Sequence, residues 1–274
     1  MNKTWIKWVI AVVITLSAAY YQRATGPSHP LRGKIKLTDQ QTLRYRLPRS
    51  HGGAGGQVVS ITLPDTGFSA FLHFKRYKMK EPYQIIPMVR NGETLSAELP
   101  HQPPAGKLEY FITLKKEGKE VTLPHDQTVV IRYKGYVPPY VLIPHILLMF
   151  LSMLFANYAG IEALLNGPKI RKYTLITVGI LFLGGMIMGP IVQKFAFGAY
   201  WTGIPFGYDL TDNKTLIAFV FWLLAWWRVA KSGQEKARWW VVLAAFVMLI
   251  IFLIPHSMMG SELNYETMSV ETGH

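Results

Sequence analysis

Two kinds of hydrophobic pattern divide this chain. Between Tyr21 and Tyr140 apolar and polar residues alternate, whereas on either side apolar residues run on with few interruptions. Alternation marks strands with one buried face; long unbroken runs mark helices able to cross hydrocarbon.

The unbroken runs predict five spans, at 5–21, 141–165, 173–192, 216–230 and 239–254. At 1.5 Å rise per residue, the shorter runs need their flanks to cross a core about 30 Å thick. The first reads as a retained anchor, because Trp5, Trp8, Tyr20 and Tyr21 flank it like interfacial aromatics. Ala18-Ala19 carries the competing reading of a cleaved leader. Gly179, Gly184, Gly185 and Gly189 in the third span signal close helix approach.

In the alternating region Leu108, Tyr110, Ile112 and Leu114 share one face of a strand, and Leu95, Ala97 and Leu99 share one face of another. Further strands are predicted at 33–38, 42–47, 57–63, 68–77, 83–89, 119–123 and 128–133, with reversals at Asn91-Gly92 and Glu117-Gly118. Eight or nine short strands without a helix predict an antiparallel, immunoglobulin-like sandwich. The glycine-rich run 51–56 reads as a loop; it lacks the Lys-Ser/Thr ending of a phosphate-binding loop. Residues 102–106 read as a rigid turn, and 136–140, with Pro138 and Pro139, as a stiff connector.

The expected fold is therefore a mixed membrane protein: an all-α bundle of about five helices with an exported all-β domain inserted between the first and second. The boundaries are 1–21 for the anchor, 22–137 for the β-domain, 138–256 for a four-helix transmembrane domain and 257–274 for a C-terminal tail. Lys3 and Lys7, the 166–172 loop with Lys169, Arg171 and Lys172, and the 228–238 loop with Arg228, Lys231, Lys236 and Arg238 define a cytoplasmic side. The N-terminus is then cytoplasmic. The β-domain, the 193–213 loop and the C-terminus face out of a plasma (inner) membrane, into the periplasm of a diderm host.

Charge changes the picture less than it first suggests. The formal net charge is +13, and residues 22–137 hold 18 Lys and Arg against 9 Asp and Glu. There is no zinc-finger spacing or dense basic stripe, so nucleic acid is not an expected partner. Anionic membrane lipids, or another membrane or periplasmic protein meeting the basic β-domain, are. The chain has no cysteine, which excludes disulfides, thiolate catalysis, iron–sulfur clusters and covalent c-type haem.

The candidate chemistry lies at the outer face. Leu142-Ile143-Pro144-His145 opens the second span and Leu253-Ile254-Pro255-His256 closes the fifth, and opposite chain directions carry both histidines to similar depth. Two imidazoles on separate helices suit copper, zinc or the axial positions of haem b. Asp209, Asp212 and Glu262 are further candidate ligands, with Asn213, Ser257 and Tyr265 as supporting groups. Met258, Met259, Met149 and Met153 read chiefly as packing. Glu162 and Asn157 form a candidate intramembrane polar site, with Glu162 read chiefly as reaching out to the cytoplasmic headgroups. His51, His73, His101 and His125 show no ligand spacing and read as surface residues.

Three readings follow. The first is a metal- or haem-centred protein serving electron transfer, metal handling or assembly of a membrane complex. The second is a non-catalytic interaction or scaffold subunit. The third is a metal-dependent membrane hydrolase, weakened by the lack of a His-Glu-x-x-His motif. No residue pattern settles whether the chain is an enzyme.

Overall fold

The computed structural model describes residues 4–37, 41–255 and 260–272. His256 and Ser257, nominated above, and Met258 and Met259 lie outside the described residues. Five helices are long and apolar enough to cross a membrane: Thr4–Thr25, Pro139–Leu164, Ile170–Phe197, Leu210–Ser232 and Gln234–Leu253. The sequence-predicted spans are thus all present, lengthened by their flanks.

The first two are α1 (Thr4–Thr25) and α2 (Pro139–Leu164). Pro139 starts α2, where a missing N–H costs no helical bond. The third span comprises α3 (Ile170–Leu181), a π-helical stretch Phe182–Met188 and α4 (Gly189–Phe197). The last two are α5 (Leu210–Ser232) and α6 (Gln234–Leu253).

Small residues set the helix spacing. A Cβ on Gly160 of α2 would stand 2.7 Å from the Ala245 Cβ of α6, so the two backbones meet where only the Ala245 methyl separates them. Gly184 and Gly185 do the same for the third span: added Cβ atoms would lie 2.8 Å from Leu148 Cβ and from Thr215 Cγ2. Gly179 faces open space, so the glycine signal concerns the π-helical stretch and not the whole span. Trp222, fully buried, fills the centre between α5 and α6 and donates its indole N–H to Met248 Sδ at 3.1 Å.

α1 packs against α2 and α6. Trp8 stacks on Tyr158 with ring centroids 4.1 Å apart, and Asn157 Nδ2 donates to Thr15 Oγ1 at 2.9 Å. At the helix end, Lys7 Nζ meets Glu162 Oε2 at 2.6 Å. Glu162 is 2% exposed and also accepts from the Lys169 backbone N–H, so it is held inside the bundle rather than extended to headgroups.

Between α1 and α2 lie three sheets. Strands β1 (Leu31–Lys36) and β2 (Thr42–Leu47) form a hairpin. The six-stranded sheet contains β3 (Ser50–Gly52), β5 (Ser69–Arg76), β6 (Gln84–Pro87), β9 (Lys107–Lys116), β10 (Lys119–Leu123) and β11 (Val129–Lys134). The third sheet has β4 (Gln57–Thr62), β7 (Val89–Asn91) and β8 (Thr94–Leu99). One apolar core serves all three, with Leu43 and Leu47, Val59 and Leu95, and Leu108 to Leu114 contributing. The four alternating residues Leu108, Tyr110, Ile112 and Leu114 are all at most 1% exposed.

Two local expectations change. The Gly-rich run is not wholly a loop, because Ser50–Gly52 pairs in parallel with Arg132–Lys134 of β11. The hairpin at Asn91-Gly92 shifts by one residue: Asn91 pairs with Thr94, leaving Gly92 and Glu93 as the turn, with Gly92 at φ +58°. The tail adds a further hairpin, β12 (Ser261–Asn264) with β13 (Ser269–Thr272).

Candidate functional site

The chain passes from β11 through Gly135–Val137 straight into α2, so the last strand and the first turn of the second span are almost contiguous. Three other pieces converge on this joint: the end of α4, the 198–209 loop and the C-terminal hairpin. The Gly135 N–H donates to Ala196 O at 2.9 Å, and the Leu263 N–H to Ala105 O at 3.1 Å. The β-domain is thus bonded both to the end of the third span and to the tail.

Asp209 and Asp212 organise the loop. Asp209 caps α5, accepting from the Thr211 N–H at 2.8 Å. Its second oxygen accepts from the Ser261 N–H at 2.9 Å and from Ser261 Oγ at 3.1 Å, which ties the tail to the helix cap. Asp212 Oδ2 accepts from the N–H groups of Thr202 (2.6 Å) and Gly203 (3.0 Å) and from Gln193 Nε2 (3.1 Å). Asn213 Oδ1 accepts from the Ile204 N–H at 2.7 Å. Lys214, buried in the same turn, reaches across to Ile254 O at 2.8 Å and neutralises the carbonyl end of α6.

Glu262 and Tyr265 fasten the tail to the β-domain. Glu262 Oε2 lies 2.6 Å from Lys107 Nζ, with Lys78 Nζ 3.3 Å from the other oxygen. The Tyr265 hydroxyl accepts from the Lys107 N–H at 2.9 Å and is 3.0 Å from Gln102 Oε1. Burial alone would raise the Glu262 carboxyl, but the Lys107 and Lys78 ammonium groups outweigh it and hold the carboxyl below its ordinary value of 4.5. Lys107 is pulled below its own ordinary value by burial, with Glu262 drawing it back up. Both members are charged at neutral pH. A carboxyl that titrates lower when folded stabilises fully above about pH 4.5, and that contribution disappears as pH falls through the lower folded value. Amide protection factors across 261–272, taken relative to the intrinsic rate at each pH, are therefore expected to fall on acidification below this point, and a Glu262→Gln variant to lose the pH step.

A cavity of about 490 Å3 lies inside the joint. His145, Asp209 and Asp212, nominated from sequence, all line it; Glu262, Asn213 and Tyr265 do not. His145 Nδ1 is 2.9 Å from Gly184 O in the π-helical stretch. Since a carbonyl only accepts, Nδ1 donates, leaving Nε2 for any second interaction. Among the described residues, no three His, Asp or Glu side chains gather to hold a metal ion. The carboxylates nominated as ligands already accept from protein donors. Glu162 and Asn157 belong elsewhere, at the α1–α2 contact.

Two cavity residues escaped the sequence reading. Arg132 is 7% exposed, and its Nε and Nη2 have no hydrogen-bond partner among the described residues. Its guanidinium sits 4.4 Å from the Phe197 ring centroid. Burial pushes it down to about 10, with Asp209 and Glu262 pulling the other way. Lys134 is likewise lowered by burial, with Arg132 adding to the effect. Alternation along β11 puts both opposite Ile131 and Tyr133, on the face normally left to water. The end of α4 covers that face, which nothing local in the sequence announces.

No family model matches the chain, and no curated protein matches it. Among solved structures, "Crystal structure of Br derivative BhCBM56" is similar over 38% of this chain and 92% of its own, at 13% identity and a TM-score of 0.24.

Proposed function

We propose that this protein is a non-catalytic docking subunit of a membrane complex, in which the five-helix bundle holds the β-domain at a fixed attitude and the domain receives an acidic protein partner. One observation carries the reading. On the outer face of the β1–β2 hairpin, Arg32 pairs directly with Arg46 and Lys34 with Arg44. All four are exposed, and among the described residues none forms an ion pair with a carboxylate. Like charges directly opposite each other across strands destabilise a sheet. An acidic partner removes that repulsion, and the shallow depression beside the ladder, bordered by Ser60 and Thr62, gives it a seat.

In this reading the β-domain is an immunoglobulin-like sandwich that faces out of the plasma membrane, opposite the Lys- and Arg-rich 166–172 and 228–238 loops. The bonds from Gly135, Ser261 and Lys107 across the joint support the fixed attitude, since a mobile lid would not be tied at three places. The metal- or haem-centred reading and the hydrolase draw less support, because Asp209, Asp212 and Glu262 already serve as structural acceptors.

Charge reversal tests the ladder. Arg46→Glu sets a carboxylate opposite Arg32, which is expected to leave the β-domain as stable or to stabilise it by about 0.2–1 kcal/mol. The same change, combined with Arg44→Glu, is expected to cut co-purification of the partner from native membranes at least about tenfold, mimicking the effect of raised salt. Recovery of the same proteins in the same amounts by the reversed variant would sink the reading.

A further inference from the structure

We propose that the cavity at the joint is a binding site for one anionic membrane phospholipid, its phosphate held by Arg132 and Lys134 and the start of an acyl chain lodged between α2 and the third span. The proposal stands apart from the docking reading, which concerns a different face of the β-domain.

Four features of the cavity converge on this occupant. Its cationic wall is incomplete as built. A guanidinium that is 93% buried, with two nitrogens lacking hydrogen-bond acceptors, is costly unless something anionic completes it. Arginine's planar donors suit phosphate oxygens, and Lys134 adds a second charge at the same wall. Asp209 and Asp212 share the cavity and Asp209 acts on Arg132 through space, but among the described residues neither carboxylate forms an ion pair or hydrogen bond with Arg132; their oxygens accept from Thr211, Ser261, Thr202 and Gly203.

The opposite wall is apolar. Leu142, Met149, Val192 and Ala196 line it, from two helices that cross the membrane. A soluble anion has no use for such a floor, whereas an acyl chain does. The volume, about 490 Å3, falls in the range of roughly 300–1,000 Å3 typical of ligand pockets. The site also sits where a spanning helix meets an extramembrane strand, the depth at which lipid phosphates lie.

Gly189 supplies a selective way to block the floor. It lines the cavity, and an added Cβ would meet nothing closer than Gly184 O at 3.7 Å and His145 Cε1 at 3.9 Å. Gly189→Leu therefore fills the acyl side without straining the backbone, and leaves both cations in place.

The experiment uses the full chain, delipidated in mild detergent and titrated with phosphatidylglycerol and separately with inorganic phosphate. Binding is read by native mass spectrometry and by the shift in Tm. Wild type is expected to retain a single phosphatidylglycerol and to gain Tm with added lipid. Arg132→Gln is expected to weaken that binding about tenfold or more. Gly189→Leu is expected to lose the lipid while still binding inorganic phosphate. If phosphate binds as tightly as phosphatidylglycerol and Gly189→Leu changes neither, the ligand is a small anion and the lipid assignment falls. If phosphatidylglycerol binds equally to wild type and both variants, the site itself falls. Should Arg132→Gln fail to fold, the Gly189→Leu comparison decides alone.

Discussion

Lys7→Met is expected to destabilise the bundle by about 3–5 kcal/mol, the usual cost of leaving one member of a buried ion pair behind. Glu162 is 2% exposed, and its carboxylate is shared between Lys7 and the Lys169 N–H. Removing the ammonium strands a charge beside the ring cluster of Trp8, Tyr158 and Tyr173, contributed by α1, α2 and α3. Glu162→Leu added to Lys7→Met is expected to recover most of the loss, because two apolar groups of similar size replace the pair without desolvating a charge. Thermal unfolding of the single and double variants in one detergent checks both statements. Equal losses in the two would mean that Lys7 matters through packing and not through charge.

Asp209→Ala should have the second-largest effect, about 3 kcal/mol, and it should be felt in two places. The helix cap on Thr211 contributes about 1 kcal/mol. The remainder comes chiefly from the buried Ser261 N–H, which loses its acceptor, while the Ser261 hydroxyl keeps Thr202 Oγ1 at 3.2 Å. Leaving such a donor unsatisfied costs about 1–3 kcal/mol. Because Ser261 begins β12, the tail hairpin is expected to detach first, so proteolysis should cut near 260 before the bundle unfolds. Asp209→Asn retains one acceptor oxygen and should lose less. If Asp209→Ala leaves tail protection unchanged, Glu262 and Tyr265 hold the hairpin by themselves.

These effects rest on contacts that were unequally visible in the chain. Glu162 and Asp209 stand out in any reading, as acids at a span and in a loop, but their roles did not. Glu162 could be placed near the end of a helix; that its partner is Lys7, 155 positions away, depends on which helix packs beside it. Asp209 and Asp212 were legible as acids in an outward loop; the pattern put the cap of the fourth span on Thr211 or Asp212, whereas Asp209 is the residue that caps it. Apart from Gln193 in α4, their other donors come from the 198–204 loop and the tail, segments with no periodicity to read.

The five spans, the inserted β-region and most strand positions, including the reversal at Glu117-Gly118, were legible along the chain, because each follows from local period and turn chemistry. Hydrocarbon thickness and strand alternation act on neighbouring residues, and neighbours are what a sequence displays. Long-range packing, by contrast, is what makes Ser50–Gly52 join a sheet in parallel and brings the tail back to clamp the β-domain. The same is true of Arg132, which lies on the nominally wet face of β11 but is buried by Phe197. The reason is common to all three. Each depends on which surfaces meet across long chain separations, and alternation tells a residue's face without telling what will cover it.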